Sequence, residues 1–240
     1  MKGELLRSEP YPFKYFKYSS HYWILKCLET VNRPLRILDV GTADGYLGAI
    51  LRQKGHSIVG VEKNSILAAK AAPYYETLYV ADAETFEFRF ETKFDFVLFA
   101  DVLEHLAEPS AVLKRSIGCL NEDGEVIVSV PNIANLAIRA SLLFGRFDYR
   151  DQGILDRTHL HFYTLSSIRQ LLQDNGLRVR ECVGAPIPVQ LVLPFTKHPV
   201  FEPLHELHYM MLRAWKGLMA YQFVLRAVPS RGVVRGLRES

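Results

Sequence analysis

Short apolar runs alternate with helical patterns along the middle of the chain, and that alternation decides what it can fold into. Leu35–Val40 is almost unbroken hydrophobic, as a strand buried on both faces would be. Tyr46–Gln53 follows with helical spacing and is closed by Gly55. Ser57–Glu62 predicts a second strand, Ser65–Ala72 an Ala-rich helix stopped by Pro73, and Thr77–Ala81 a third strand. Phe94–Ala100 is the most apolar run and predicts a central fourth strand. Pro109 suits the first turn of a helix reaching about Leu120, and Asn121-Glu-Asp-Gly124 predicts a turn into a fifth strand, Glu125–Val130. A helix from Thr164 to Asp174 ends at Asn175-Gly176, before a sixth strand at Leu177–Val183. A helical stretch, Pro203–Met219, precedes a seventh at Tyr221–Val228.

This succession predicts an α/β protein built on a mostly parallel, doubly wound sheet of seven strands. Ligands of such sheets bind beyond the carboxyl ends of the strands, where the strand order reverses. Function is therefore expected just after Val40, Val61, Ala81 and Ala100. Residues 1–34 read as an arm and lid helix, 35–228 as the main domain, with 186–219 inserted as a cap, and 229–240 as a basic tail.

Composition narrows the class. The 240 residues are 49% hydrophobic and 23% charged, which excludes a disordered chain and allows a large core. The formal charge of +3 falls short of a dedicated nucleic-acid binder. That surplus lies wholly within residues 226–240, where Arg226, Arg231, Arg235 and Arg238 face only Glu239. Cys27, Cys119 and Cys182 are far apart and form no CxxC pair, which excludes a disulfide framework and suits the cytoplasm. Charges interrupt Met1–Phe16, so no signal peptide is expected. No uncharged apolar run reaches the roughly 18–20 residues of a membrane span, so membrane contact is expected to be peripheral at most.

The chemistry-bearing signal begins at Asp39-Val-Gly41-Thr-Ala-Asp-Gly45-Tyr-Leu-Gly48, between the first strand and the first helix. Glycine there permits a tight turn and close approach of backbone to ligand. Glu62 ends the next strand, where an acid can accept hydrogen bonds from a ribose diol. Ala43 sits where a dinucleotide fingerprint would have its second glycine, which disfavours an NAD-dependent oxidoreductase. No GxxxxGK[ST] motif is present.

The motif resembles that of the class I S-adenosylmethionine-dependent methyltransferases, which have a Rossmann-like fold. The resemblance implies that Asp39, Gly41, Thr42, Ala43 and Gly45 form the cofactor loop and that Glu62 binds the ribose. It also implies that Asp82, with Ala83, lies near the adenine and that Ala100 borders the cofactor. Asp101-Val-Leu-Glu104-His105, Ser129-Val-Pro131-Asn132 and Asp156-Arg-Thr158-His159-Leu-His161 resemble a branch that includes the ubiquinone-biosynthesis O-methyltransferases. The expected reaction is methyl transfer from S-adenosylmethionine to an oxygen, less readily a nitrogen, of a small molecule, lipid or sugar. A non-catalytic cofactor-binding scaffold is the other rival.

Methyl transfer from a sulfonium needs alignment and, for a hydroxyl acceptor, a base. His105 and His159 are the candidates, each with a second reading as a structural histidine. His159 and His161 stand two apart, so in extended chain at most one faces the acceptor. A metal on Glu104, His105, His159 and His161 is conceivable, but adjacent Glu104 and His105 do not compel chelation, and no metal is assigned. The aromatic residues Tyr11, Phe13, Tyr15, Phe16, Tyr18, Tyr22 and Trp23 read as a packed arm or as a lid. A monomer or homodimer is expected, with no sequence-specific nucleic-acid partner.

Overall fold

The computed structural model describes residues 17–187 and 198–230. It opens with α1 (Ser20–Leu28), then alternates β1 (Arg36–Val40), α2 (Tyr46–Gln53), β2 (Ser57–Glu62), α3 (Ser65–Ala71) and β3 (Thr77–Val80). β4 (Phe94–Ala100), α4 (Pro109–Ile117), β5 (Leu120–Pro131) and α5 (Leu136–Leu143) follow. The remainder is α6 (Leu165–Asp174), β6 (Leu177–Ala185), α7 (Glu202–Ala214), α8 (Lys216–Met219) and β7 (Gln222–Pro229).

The strands form one seven-stranded sheet in the order β3-β2-β1-β4-β5-β7-β6. β7 runs antiparallel to both neighbours, and the other contacts are parallel. The chain winds outward from β1 through β2 to β3, then returns to the other side of β1 as β4. That reversal is the crevice where a doubly wound sheet binds ligands. Val40 pairs with both Val61 and Phe99, so the carboxyl ends of β1, β2 and β4 share one rim.

Alternation along the central strands supplies a core on each face of the sheet. Leu38, Val40, Val97, Phe99 and Val128 pack on one side. Ile37, Phe96, Leu98 and Ile127 pack on the other, with Ile24, Leu25 and Leu28 of α1 and Leu47 and Leu51 of α2. Side chains start the helices where the sequence changes period. Ser19 caps α1 and Asn64 caps α3, and Thr164 with Ser167 forms a capping box on α6.

The structure departs from the sequence expectations where local signals compete. Pro73 is absorbed into a 3₁₀ turn, Ala72–Tyr74, so α3 ends one residue early. The expected turn at Asn121–Gly124 is instead an irregularity inside β5, with Phe94 opposite Leu120 but Phe96 opposite Glu125. Polar Asn121, Glu122 and Asp123 are extruded to solvent there while the ladder resumes beyond them. The helical stretch before β7 breaks at Trp215 into α7 and α8. α5 was not anticipated. It buries none of its residues, and Leu136, Leu142 and Leu143 are exposed, so its apolar residues mark no core face.

Arg226, counted in the basic surplus, lies in β7 as its strand pattern predicts, and its guanidinium bonds the buried Glu125 carboxylate and Thr30 Oγ1. Arg231, Arg235 and Arg238, the arm residues through Phe16 and cap residues 188–197 lie outside the described residues. No helix among the described residues is long and apolar enough to cross a membrane. All three cysteines are buried and free.

Candidate active site

Two groups of side chains meet the rim of the reversal crevice from opposite sides. The first is the loop after β1. Its residues Gly41, Ala43 and Gly45 have φ of 78°, 48° and 83°, so left-handed backbone recurs at every second position. Gly41 is required on two grounds. Beyond its positive φ, a Cβ there would stand 2.6 Å from Cγ2 of Val102, because the loops after β1 and β4 close on one another. Ala43 holds its conformation despite having a Cβ, at a cost of about 1–2 kcal/mol. Its amide donates to Glu62 Oε2 at 2.9 Å. Oε1 of Glu62 accepts from Asn64 N at 2.8 Å. Glu62 thus ties the loop to the end of β2 while each oxygen keeps a lone pair for a ligand hydroxyl. Burial raises its pKa and the two backbone amides oppose the rise.

Asp39 is placed differently from the other loop residues. It is buried behind the loop, and Tyr75 Oη donates to its Oδ2 at 2.6 Å. Burial pushes its pKa up to about 6 against that hydrogen bond. Tyr75 crosses the start of α2 closely enough that a Cβ on Gly48 would meet its ring at 2.5 Å. The final glycine of the motif therefore makes room for the hydroxyl that holds Asp39. Sequence reading missed Tyr75, and the unexplained Gly48 was the signal for it.

The other expected cofactor residues lie along the same rim. Thr42 is buried, and its carbonyl accepts from Gly45 N to close the turn. Asp82 follows β3 and turns the chain, with Oδ1 accepting from Glu84 N at 2.9 Å. Ala83 and Ala100 are half-buried. Beyond Ala100, Asp101 has a positive φ of 59°. Its carboxylate accepts from the Ser129 hydroxyl and from Gln222 Nε2, the latter at 2.7 Å. Residues on β5 and β7 thereby fix a strained turn at the end of β4. Asp101 and Ser129 lie in the motifs quoted above and Gln222 in the seventh strand, but no local pattern links them.

The second group assembles around Glu104. Its carbonyl accepts from the amides of Leu160 and His161, at 2.8 and 3.1 Å, which docks the distant Asp156–Tyr163 segment against the turn after β4. The buried Asp156 carboxylate accepts from Thr158 N and Oγ1, both at 2.8 Å. This turn sets two imidazoles together, with the rings of His105 and His159 4.8 Å apart edge to face. His159 Nδ1 lies 3.0 Å from the carbonyl of Ile154, and His105 Nδ1 3.2 Å from that of Thr158. A carbonyl only accepts, so Nδ1 carries the proton in each ring and Nε2 keeps its lone pair. Burial lowers the pKa of both, and for His159 the neighbouring His105 lowers it further. Neutral rings with basic Nε2 atoms result. His161 takes another path, with Nε2 3.2 Å from the carbonyl of Ala107 and its ring stacked on Tyr163. An aromatic cluster of Phe147, Tyr149 and Phe162 adjoins His159.

The sequence profile of a family described as "Methyltransferase domain" matches residues 16–181. The chain belongs to that family. Together with the sheet order and the glycine loop, this makes it a class I S-adenosylmethionine-dependent methyltransferase domain. It is 27% identical over 166 residues to the tRNA 5-carboxymethoxyuridine methyltransferase of Escherichia coli O157:H7, covering 60% of this chain and 63% of the relative. It is 30% identical over 161 residues to the ubiquinone biosynthesis O-methyltransferase of Bradyrhizobium diazoefficiens, covering 62% and 61% of the two chains. The methyltransferase thus spans somewhat less than two thirds of these relatives. A solved S-adenosylmethionine-dependent methyltransferase from Archaeoglobus fulgidus shares its fold, with a TM-score of 0.59, 15% identity, and coverage of 86% and 91%.

Proposed function

We propose that this methyltransferase transfers the methyl group of S-adenosylmethionine to a hydroxyl oxygen, less readily a nitrogen, of a small-molecule, lipid or sugar acceptor. The observation that carries this reading is the imidazole pair. Two neutral rings, each with Nδ1 fixed by a carbonyl, flank the turn that Val102 packs against the cofactor loop. The loop of Gly41, Thr42, Ala43 and Gly45 faces the methionine part of the cofactor. Glu62 takes the ribose hydroxyls, Asp82 and Ala83 lie at the adenine, and Ala100 borders the methyl end. Asp39 acts through Tyr75 as a positioning residue. His105 and His159 handle the proton of the acceptor. As the acceptor oxygen's lone pair forms the new C–O bond, the C–S pair passes to sulfur, and the sulfonium becomes a neutral thioether. The acceptor proton leaves toward the imidazole cluster. The protein's main contribution is alignment, with proton removal second.

Phe147, Tyr149 and Phe162 beside His159 favour an acceptor with an apolar or aromatic body. Leu143 and Phe144 are exposed, consistent with a peripheral membrane encounter at most. The formal charge outside residues 226–240 balances to zero, which favours a small acceptor over a sequence-specific nucleic-acid partner. The tRNA-acting relative makes a nucleic-acid acceptor the reading to test against. Residues 1–34 serve as arm and lid and the segment after β6 as cap, in a cytoplasmic monomer or homodimer. Calorimetry tests the cofactor half of this reading. Binding of S-adenosylhomocysteine without NAD(H) is expected, and tight NAD(H) binding alone would replace the reading with an oxidoreductase. An acceptor screen of phenols, lipid hydroxyls, sugars and tRNA then tests the rest, with turnover on tRNA alone as the contrary result.

A further inference from the structure

We infer that Glu104, His105 and His159 form a binding site for a divalent transition-metal ion, which holds the oxygen of the acceptor. This deepens the methyl-transfer reading and rests on it for the ion's use, though not for its binding. The sequence makes a metal on Glu104, His105, His159 and His161 conceivable, but adjacent Glu104 and His105 do not compel chelation, so none is assigned from it. The fold supplies the third group from a segment more than fifty positions away.

Three features point to a ligand set. One ligand-capable atom from each residue lies within 4.8 Å of the others, and Glu104 and His159 are buried while His105 is half-buried. Tetrahedral ligands at about 2.1 Å from an ion stand roughly 3.4 Å apart, so modest side-chain rotations close this set onto one centre. Both rings have Nδ1 committed to a backbone carbonyl, leaving Nε2 as the ligand atom. A metal-ligating histidine normally shows this outer hydrogen bond, since it fixes the tautomer and the ring. A further layer stands behind His105, where the Asp156 carboxylate holds Thr158 through both its amide and hydroxyl.

Two imidazoles and one carboxylate suit zinc, cobalt or iron better than magnesium, which prefers oxygen ligands. Three protein ligands leave at least one coordination position open. An acceptor hydroxyl entering it would bind through oxygen, and the ion would lower its pKa so that the proton passes to water. The imidazoles would then act as ligands rather than as direct bases.

The test is titration of chelator-treated, full-length protein with Co²⁺, followed by visible ligand-field absorption, and with Zn²⁺ by calorimetry. One equivalent is expected to bind. Glu104→Gln, His105→Ala and His159→Ala should each weaken it by about tenfold or more, and His161→Ala should leave it unchanged. Thermal melts identify any variant that fails to fold, and the other two then decide. No binding by the wild type, or binding that survives all three substitutions, would overturn the assignment. So would saturation by Mg²⁺ in preference to Co²⁺ or Zn²⁺. S-adenosylhomocysteine affinity, measured on the same samples, separates the two readings. Loss of the metal result with that affinity intact leaves methyl transfer standing with His105 or His159 as direct base.

Discussion

The two sides of the crevice are built on different principles. The proposed cofactor side uses short strand-to-helix turns in which strand ends are tied to their neighbours, Gly41 to Val61 and Ala43 to Glu62, while Tyr75 from the turn after α3 holds Asp39 behind them. Backbone conformation shapes it, and the Glu62 carboxylate anchors it. The acceptor side has no such local frame. It is assembled from the turn after β4, the Asp156–Tyr163 segment, the end of β5 and Gln222 of β7, joined by the Glu104 carbonyl and by the side chains of His105, Ser129 and Gln222. A loop framed by adjacent strand ends suits a constant ligand, whereas a site drawn from remote segments can change its acceptor while the sheet stays fixed.

If the division is real, damage to one side should leave the other working. The largest effect is expected from His159→Ala. Turnover should fall by roughly 10²–10⁴, whether the ring acts as base or as ligand, with unchanged affinity for S-adenosylhomocysteine. A parallel loss of cofactor affinity in calorimetry would show that the two sides are one. Next in size is Glu62→Ala, which would remove the proposed ribose acceptor and free the Ala43 amide. Cofactor binding should weaken by about 1.5–3 kcal/mol, as for hydrogen bonds to charged groups. Co²⁺ binding at the opposite side should persist, and its loss would again break the comparison.

The smallest effect is expected behind the loop. Tyr75→Phe removes the hydroxyl bound to Asp39 and should destabilise the fold by about 1–3 kcal/mol at neutral pH, read from urea unfolding. The sign with pH follows from the raised pKa. Asp39 titrates near 6 when folded and near 3.9 when unfolded, so its ionisation penalises the fold fully above pH 6. That penalty disappears as pH falls toward 4. The loss in Tyr75→Phe should therefore be larger at pH 7.5 than at pH 5. A pH-independent difference would mean that Asp39 is not the partner that matters.

The same division explains what the sequence revealed. The strands through β4 and the glycine loop were legible because period, turn residues and motif are local properties. Glu62 could be picked out because it ends a strand at a known offset from the loop. Tyr75 could not, since its contact with Asp39 depends on how α3 and its 3₁₀ turn pack over β1. His105 and His159 were legible as candidates, and Glu104 as a conceivable ligand with them, but their shared tautomer and the meeting of the three in space were not. Those depend on the carbonyls of Thr158 and Ile154, which no spacing rule supplies. α5 went unseen because it turns its leucines to solvent, and hydrophobic pattern reports burial only where there is a core to face.

A crystal structure of the full chain with S-adenosylhomocysteine would test the central claim most directly. The ribose hydroxyls are expected on Glu62, the methionine part along Gly41–Gly45, and the sulfur facing His105 and His159. Cofactor bound elsewhere, or a sulfur sealed from both imidazoles by protein atoms, would contradict it.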